Sequence, residues 1–292
     1  MLCKGVCFYI FVLYELTNML TISELNIYPI KSLGGVSLSS SEVTDRGFKY
    51  DRRWMLVDAD NRFLTQRAVA QMALIKVAME EGGLLLTHPR MEAVKVPFNQ
   101  EEQEEQLFTI WNDSCAGMFV NKELDDWFSD ALTMKCRLVY MPDTTRRQVD
   151  KQYAPDGMIT SFSDAYPFLM IGQASLDDLN GRLVEHLPMN RFRPNIVFTG
   201  GAPFDEDIMR HIRIGNINFY GVKLCARCVV TTIDQRTAEK GKEPLKTLTS
   251  YRLKNKKIMF GQNLIHTGTG LINVGDQMEV LSAHTEDRFL VM

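Results

Sequence analysis

Between residues 20 and 140 the apolar residues fall in short runs broken by turn formers, a pattern that restricts the chain to a strand-dominated fold. Residues 21–28 and 36–43 alternate apolar and polar side chains, the period of a half-buried strand. Arg53-Trp54-Met55-Leu56-Val57 runs into Asp58-Ala59-Asp60-Asn61, a strand followed by a hairpin turn. Residues 74–79, 83–87, 93–96 and 136–140 continue the series, and the Gln/Glu-rich run 99–106 reads as a solvated loop. One helix stands out: Leu124, Trp127, Phe128, Ala131 and Leu132 share a stripe, with Asp125, Asp126 and Asp130 on the other face. The polar stretch 141–156 reads as an interdomain segment or a loop beside a site. Beyond it, residues 168–171, 195–199, 212–214, 218–220, 228–233, 264–266 and 278–281 supply further strands. Ser175-Leu176-Asp177-Asp178 has the character of a capping box opening a second helix, with Leu176, Leu179 and Leu183 on one face. The predicted class is α+β, mostly β: two barrel-like halves carrying a few helices.

The chain has 292 residues, 45% of them hydrophobic and 24% charged, as in an ordinary globular protein. Its net charge of -3 argues against a general nucleic-acid binder, so its basic residues act locally. Six cysteines, at 3, 7, 115, 136, 225 and 228, are too sparse for a disulfide scaffold and fit a reducing, cytoplasmic setting. A structural zinc site needs four Cys or His ligands in paired spacing, and the five histidines are scattered. Residues 1–18 carry a short apolar run, 6–14, without a small-residue cleavage site. We expect this segment to be an apolar extension upstream of a true start at Met19. The rival reading is a weak membrane tether through residues 5–14.

Three groups of residues bear chemistry. Cys225-Ala226-Arg227-Cys228 offers thiolate, a soft ligand for a soft or redox-active metal. Cys228 opens a β-branched run and not a helix, which disfavours a thioredoxin-type dithiol. The alternative is that both thiols are small buried hydrophobes. In Arg191-Phe192-Arg193-Pro194-Asn195 the two guanidiniums share a face if the segment is extended, and Arg forks grip phosphate. The alternative there is a strand end with solvated arginines. The third group is Tyr28-Pro29-Ile30-Lys31-Ser32 with Asp51-Arg52-Arg53-Trp54 and Thr65-Gln66-Arg67, where Lys31 and Ser32 meet a Gly-rich turn without Walker spacing. Thiol and arginine forks together suit a ligand that is metal at one end and phosphorylated at the other.

With Phe162-Ser163-Asp164-Ala165, Thr231-Thr232-Ile233-Asp234, Glu243-Pro244-Leu245, Ser250-Tyr251-Arg252 and Phe260-Gly261-Gln262, these segments resemble, in order and spacing, the MOSC family. Within it they are most similar to the amidoxime-reducing group and its bacterial relatives. The resemblance spans roughly residues 20–283. It implies a MOSC N-terminal β-barrel domain over 19–140 and a MOSC domain over 141–285. It also implies a molybdenum–pterin cofactor, with Cys228 as the protein ligand to molybdenum. Lys31, Ser32, Arg52, Arg193 and Asn195 would hold the pterin and its phosphate, with Arg227 and Asp164 nearby. The implied activity is two-electron reduction of N-hydroxylated compounds such as amidoximes or hydroxylamino bases, releasing water. No cysteine follows Cys228, so no iron–sulfur cluster is expected within this chain. Electrons would then come from a separate ferredoxin, flavodoxin or cytochrome-b5 type protein, and membrane association is not expected. The competing function is a sulfur or cofactor carrier using Cys228 as a persulfide. Family sulfurases add a pyridoxal-phosphate desulfurase, for which this chain has no room.

Overall fold

The computed structural model describes residues 19–101 and 103–286. The apolar extension 1–18, with Cys3, Cys7 and the candidate tether, lies outside the described residues. The fold is mostly β, with three α-helices among the described residues, Lys122–Leu132, Gln173–Asn180 and Leu245–Thr249.

A closed barrel of seven strands organises the C-terminal half. Around the ring run Phe168–Gly172, Ile196–Thr199, Leu20–Ile27, Gln277–Ala283, Met209–Ile214, Ile217–Ala226 and Lys257–Thr267, and the last pairs back onto the first. All neighbours are antiparallel except Phe168–Gly172 with Ile196–Thr199. Closure leaves no free sheet edge among these staves. Alternate residues point inward, so Ile22, Leu25, Phe168, Met170, Ile196, Phe198, Ile212, Ile214, Phe219 and Leu264 fill one apolar core.

Leu20–Ile27, the first described strand, is a stave of this barrel, with Leu25 opposite Ile196 and Thr21 opposite both Thr199 and Gln277. The first described strand therefore belongs to the C-terminal half, which the chain leaves at Tyr28. The N-terminal half beyond combines a four-stranded sheet (Trp54–Val57, Arg137–Tyr140, Asp113–Phe119, Gln106–Ile110) with a three-stranded one (Lys76–Glu80, Gly83–His88, Met91–Pro97). Leu124, Phe128 and Leu132 of the amphipathic helix pack with Ile30, Trp54, Leu84, Leu86 and Leu138. Asn121 caps that helix by accepting from the Leu124 N–H at 2.9 Å, and left-handed Thr133 (φ 53°) ends it.

Several local expectations need correction. Residues 36–43 are not one strand: Val36–Leu38 pairs with Leu20–Ile27, whereas Ser40–Thr44 pairs with Gly270–Asn273. The hairpin Gln106–Ile110/Asp113–Phe119 escaped notice because only Phe108 and Ile110 of its first strand are buried. Residues 228–233 do not continue as a strand. Cys228 precedes a 3-10 turn, Val229–Thr232, in which the Thr231 and Thr232 hydroxyls donate back to the carbonyls of Cys228 and Val229 at 3.0 and 2.8 Å. That local bonding outcompetes the β-branched pattern.

Ser175 is not a cap either, because it lies inside Gln173–Asn180. Its hydroxyl donates to Glu206 Oε2 at 2.8 Å and accepts from the Phe204 N–H at 2.7 Å. Glu206 is fully buried; burial first, then the neighbouring Asp207, push its carboxyl from the ordinary 4.5 up to about 8. A carboxyl raised in this way keeps its proton in the folded state while the unfolded chain has lost it. Its stabilising contribution is full below pH 4.5 and drains away as pH rises to about 8. Glu206→Gln, which mimics the protonated form, should match wild type in calorimetry at acidic pH. At pH 8 it should melt roughly 5 °C higher.

Candidate functional site

The site forms where the chain leaves the barrel. Tyr28-Pro29-Ile30-Lys31-Ser32 crosses to the N-terminal half, the Arg52 N–H donates to the Tyr28 carbonyl at 3.0 Å, and the Lys31 N–H donates to the Trp54 carbonyl at 2.8 Å. Buried Asp51 ties this crossing together: Oδ1 accepts from the Tyr28 N–H at 2.7 Å and Oδ2 from Arg52 at 2.5 Å. Arg52 also donates to Asn195 Oδ1 at 3.1 Å. The guanidiniums of Arg52 and Arg193 lie 4.4 and 4.1 Å from the centroid of the Tyr28 ring. Burial drives the Tyr28 phenol up to about 12 and pulls Arg193 down to about 10, so both keep their ordinary charge at neutral pH.

Lys31 is buried and donates to the Phe162 carbonyl at 2.8 Å and to Asp164 Oδ1 at 2.5 Å. Desolvation lowers its pKa against the pull of Asp164. Asp164 keeps 68% of its side chain open to the cleft. Although desolvation opposes its charge, Lys31 and the Trp111 N–H hold its carboxyl below the ordinary range. It is therefore ionised at neutral pH and no proton donor there.

The opposite wall is the end of strand Ile217–Ala226 and the turn after it. Arg227 donates to the Phe192 carbonyl and, at 3.1 Å, to Cys225 Sγ, while its Nε has no partner. Cys225 and Cys228 are free, half-buried thiols. Arg227 thus serves Cys225 and leaves the Cys228 sulfur to the cleft.

One cleft of about 160 Å3 is lined by Lys31, Ser32, Arg52, Asp164, Arg193, Asn195, Arg227 and Cys228, along with Cys225, Arg67, Trp111 and Arg191. It brings every sequence-predicted site residue together. Their arrangement differs from expectation in two respects. Arg191 and Arg193 do not share an extended face, because Met189–Arg191 is a 3-10 turn and Arg193 is left-handed at φ 57°. Arg191 consequently pairs with Asp234 at 2.9 Å, and Arg193 reaches the Leu33 carbonyl at 2.7 Å. Asn195 is buried with its amide engaged: Oδ1 accepts from Arg52 and the Leu169 N–H, and Nδ2 donates to the Asn26 carbonyl. It positions Arg52 and offers the cleft little of its amide.

Ser32, Arg52 and Arg193 all have positive φ, at 66°, 49° and 57°. Left-handed backbone at three non-glycine residues around one cleft is strain that a well-packed scaffold tolerates for a site. The lining carries six cationic side chains (Lys31, Arg52, Arg67, Arg191, Arg193 and Arg227) and a single carboxylate, Asp164. Such a surplus suits a phosphorylated ligand. Among the described residues no three Cys, His, Asp or Glu side chains gather to hold a metal. A soft metal at Cys228 would take its other donors from the ligand itself.

Family models match on both sides of this cleft. Residues 19–135 match the MOSC N-terminal beta barrel domain and residues 158–279 the MOSC domain. The chain belongs to the MOSC-domain family. It is 33% identical over 280 residues to mitochondrial amidoxime-reducing component 1 of Mus musculus, covering 89% of this chain and 82% of that one. Mitochondrial amidoxime reducing component 2 of Rattus norvegicus is 34% identical over 285 residues, covering 90% and 83%. Molybdenum cofactor sulfurase of Arabidopsis thaliana is 31% identical over 268 residues, but this MOSC chain spans only 32% of its length. No helix among the described residues is long and apolar enough to cross a membrane.

Sequence reasoning passed over two residues that shape the MOSC cleft, one beneath its wall and one in its lining. Tyr28, beneath both arginines, was visible only as part of a motif. Trp111 sits at the tip of the unanticipated hairpin, 40% exposed, and its N–H donates to Asp164 Oδ1 at 3.3 Å.

Proposed function

We propose that this MOSC protein is a molybdenum-cofactor-dependent reductase of N-hydroxylated compounds such as amidoximes and hydroxylamino bases. The observation that carries the reading is the cleft itself, where one available thiol, Cys228, faces a wall of cations from both halves of the chain. The names of the amidoxime-reducing relatives supply the reaction class.

The residues fit a phosphorylated pterin. Arg193 and Arg227, neither bound to a carboxylate, have guanidinium donors to spare, and the orphaned Arg227 Nε is one of them. Lys31 and Ser32 would hold the organic part from the N-terminal half, Arg52 is kept in line by Asp51 and Asn195, and the Cys228 thiolate would take the metal. When bound, such a cofactor supplies a two-electron redox couple for breaking the N–O bond. The overall change consumes two electrons and two protons and yields the reduced nitrogen compound and water. The protein's part is to bind, orient and charge-balance. Ionised Asp164 holds the Lys31 ammonium and the Trp111 ring in place and leaves the protons to solvent. Electrons would come from a separate ferredoxin, flavodoxin or cytochrome-b5 type protein. A reducing, cytoplasmic setting belongs to the proposal, and Cys115, Cys136, Cys225 and Cys228 are all free thiols.

Natively expressed protein should contain molybdenum in a one-to-one ratio and reduce benzamidoxime with an artificial electron donor. Persulfide on Cys228 without molybdenum would replace this reading with the carrier function. Neither metal nor persulfide would leave a plain binding module.

A further inference from the structure

At the mouth of the cleft, Trp111 crowns the hairpin between Gln106–Ile110 and Asp113–Phe119. Its backbone is left-handed, φ 57°, an unfavourable state for a bulky residue that the surrounding contacts must hold. Besides the N–H bond to Asp164, Phe63 makes a T-shaped contact with the indole, centroids 4.9 Å apart, and the Arg67 guanidinium lies 4.4 Å from the ring centroid. The residue nonetheless stays 40% exposed. An indole held by its N–H, by a T-shaped ring contact and by a guanidinium over its face, yet still so exposed, is placed to stack on a ligand and is not a core residue.

The charges point the same way. Of the cations lining the cleft, Lys31, Arg52 and Arg191 are paired with Asp164, Asp51 and Asp234. Arg193 and Arg227 reach the backbone carbonyls of Leu33 and Phe192 and have donors to spare for a cofactor phosphate. Arg67 is exposed and takes part in none of the ion pairs among the described residues. A guanidinium stacked on an indole still has its in-plane N–H fork free to bind an anion.

We propose that Trp111 and Arg67 form the substrate-facing platform, and that it selects planar aromatic N-hydroxylated substrates bearing a carboxylate or phosphate over neutral or aliphatic ones. This rests on the reductase reading and adds the substrate class to it. The aromatic body stacks on Trp111 while the anion meets the Arg67 fork, leaving the N–OH end directed inward.

The test uses molybdenum-loaded protein with benzamidoxime, 4-carboxybenzamidoxime, acetamidoxime, N6-hydroxyadenosine and its 5′-monophosphate. Wild type should favour 4-carboxybenzamidoxime over benzamidoxime in kcat/KM by about fivefold, the scale of one exposed ion pair. Arg67→Gln should bring that ratio close to one, and Arg67→Lys should restore part of it. Trp111→Leu should lower the benzamidoxime-to-acetamidoxime ratio about tenfold, the scale of one aromatic stacking contact. A monophosphate-to-nucleoside ratio larger than the carboxylate ratio would assign the anion as phosphate; the reverse would assign a carboxylate. Independently of turnover, 4-carboxybenzamidoxime should quench tryptophan fluorescence saturably, and the quench should vanish in Trp111→Phe. Intact turnover with identical ratios in wild type, Arg67→Gln and Trp111→Leu would overturn the platform and leave the reductase standing. Lack of turnover with every amidoxime would sink the reductase reading, and the fluorescence titration would still decide whether the platform binds.

Discussion

Cys228→Ser is expected to leave the barrel folded while the protein loses both molybdenum and reductase activity. The fold should survive because Cys228 works structurally through its backbone. Its carbonyl accepts from the Thr231 N–H at 3.2 Å and from the Thr231 hydroxyl at 3.0 Å, and serine is at home before a helical turn. The thiol is half-buried and open to the cleft. A serine hydroxyl is a hard, weakly acidic donor where the proposed metal requires a soft anion. Losing an outer-shell partner of a metal typically costs 10- to 100-fold, so removal of the sole protein ligand should exceed about 100-fold in kcat/KM. Cys225→Ser is the internal control. Its sulfur accepts from Arg227 at 3.1 Å, which a hydroxyl oxygen can also do, so metal content should persist. Equal losses in the two variants would contradict the assignment of the ligand to Cys228.

The second large effect concerns stability. Arg52→Met should destabilise the protein by about 3 kcal/mol, because it strands the buried Asp51 carboxylate without its counter-charge. Burial already pushes the Asp51 carboxyl up, and Arg52 is the strongest opposing influence. The Tyr28 N–H remains as a partner, and Asn at position 51 would keep accepting from it. The double variant Asp51→Asn/Arg52→Met should therefore recover part of the loss measured by urea unfolding. A single variant as stable as wild type would show that the crossing at Tyr28 does not depend on this pair. Both variants should also bind the phosphorylated ligand more weakly, since Arg52 no longer lines the cleft.

Local pattern revealed much of the fold. The helix Lys122–Leu132 was legible from its apolar stripe, and part of each barrel stave was legible as a short strand. The membership of Leu20–Ile27 in the C-terminal barrel was not, because that pairing with Ile196–Thr199 is a long-range event which leaves no local signature. The composition of the site was legible through the thiol pair and the arginines, but its wiring was not. Left-handed backbone at Arg52 and Arg193 turns their side chains in directions an extended reading misplaces, and hydroxyl back-bonding at Thr231 and Thr232 converts a β-branched run into a turn. Trp111 stayed hidden because a single aromatic in a polar hairpin carries no period.

A heavy metal bound at one sulfur is what the cleft is proposed to hold, and anomalous scattering measures that directly. Diffraction from the loaded protein across the molybdenum absorption edge should give one peak within bonding distance of Cys228 Sγ, with density for the organic moiety running toward Lys31, Arg52 and Arg193. A peak at another residue, or none in protein that contains molybdenum, would contradict it.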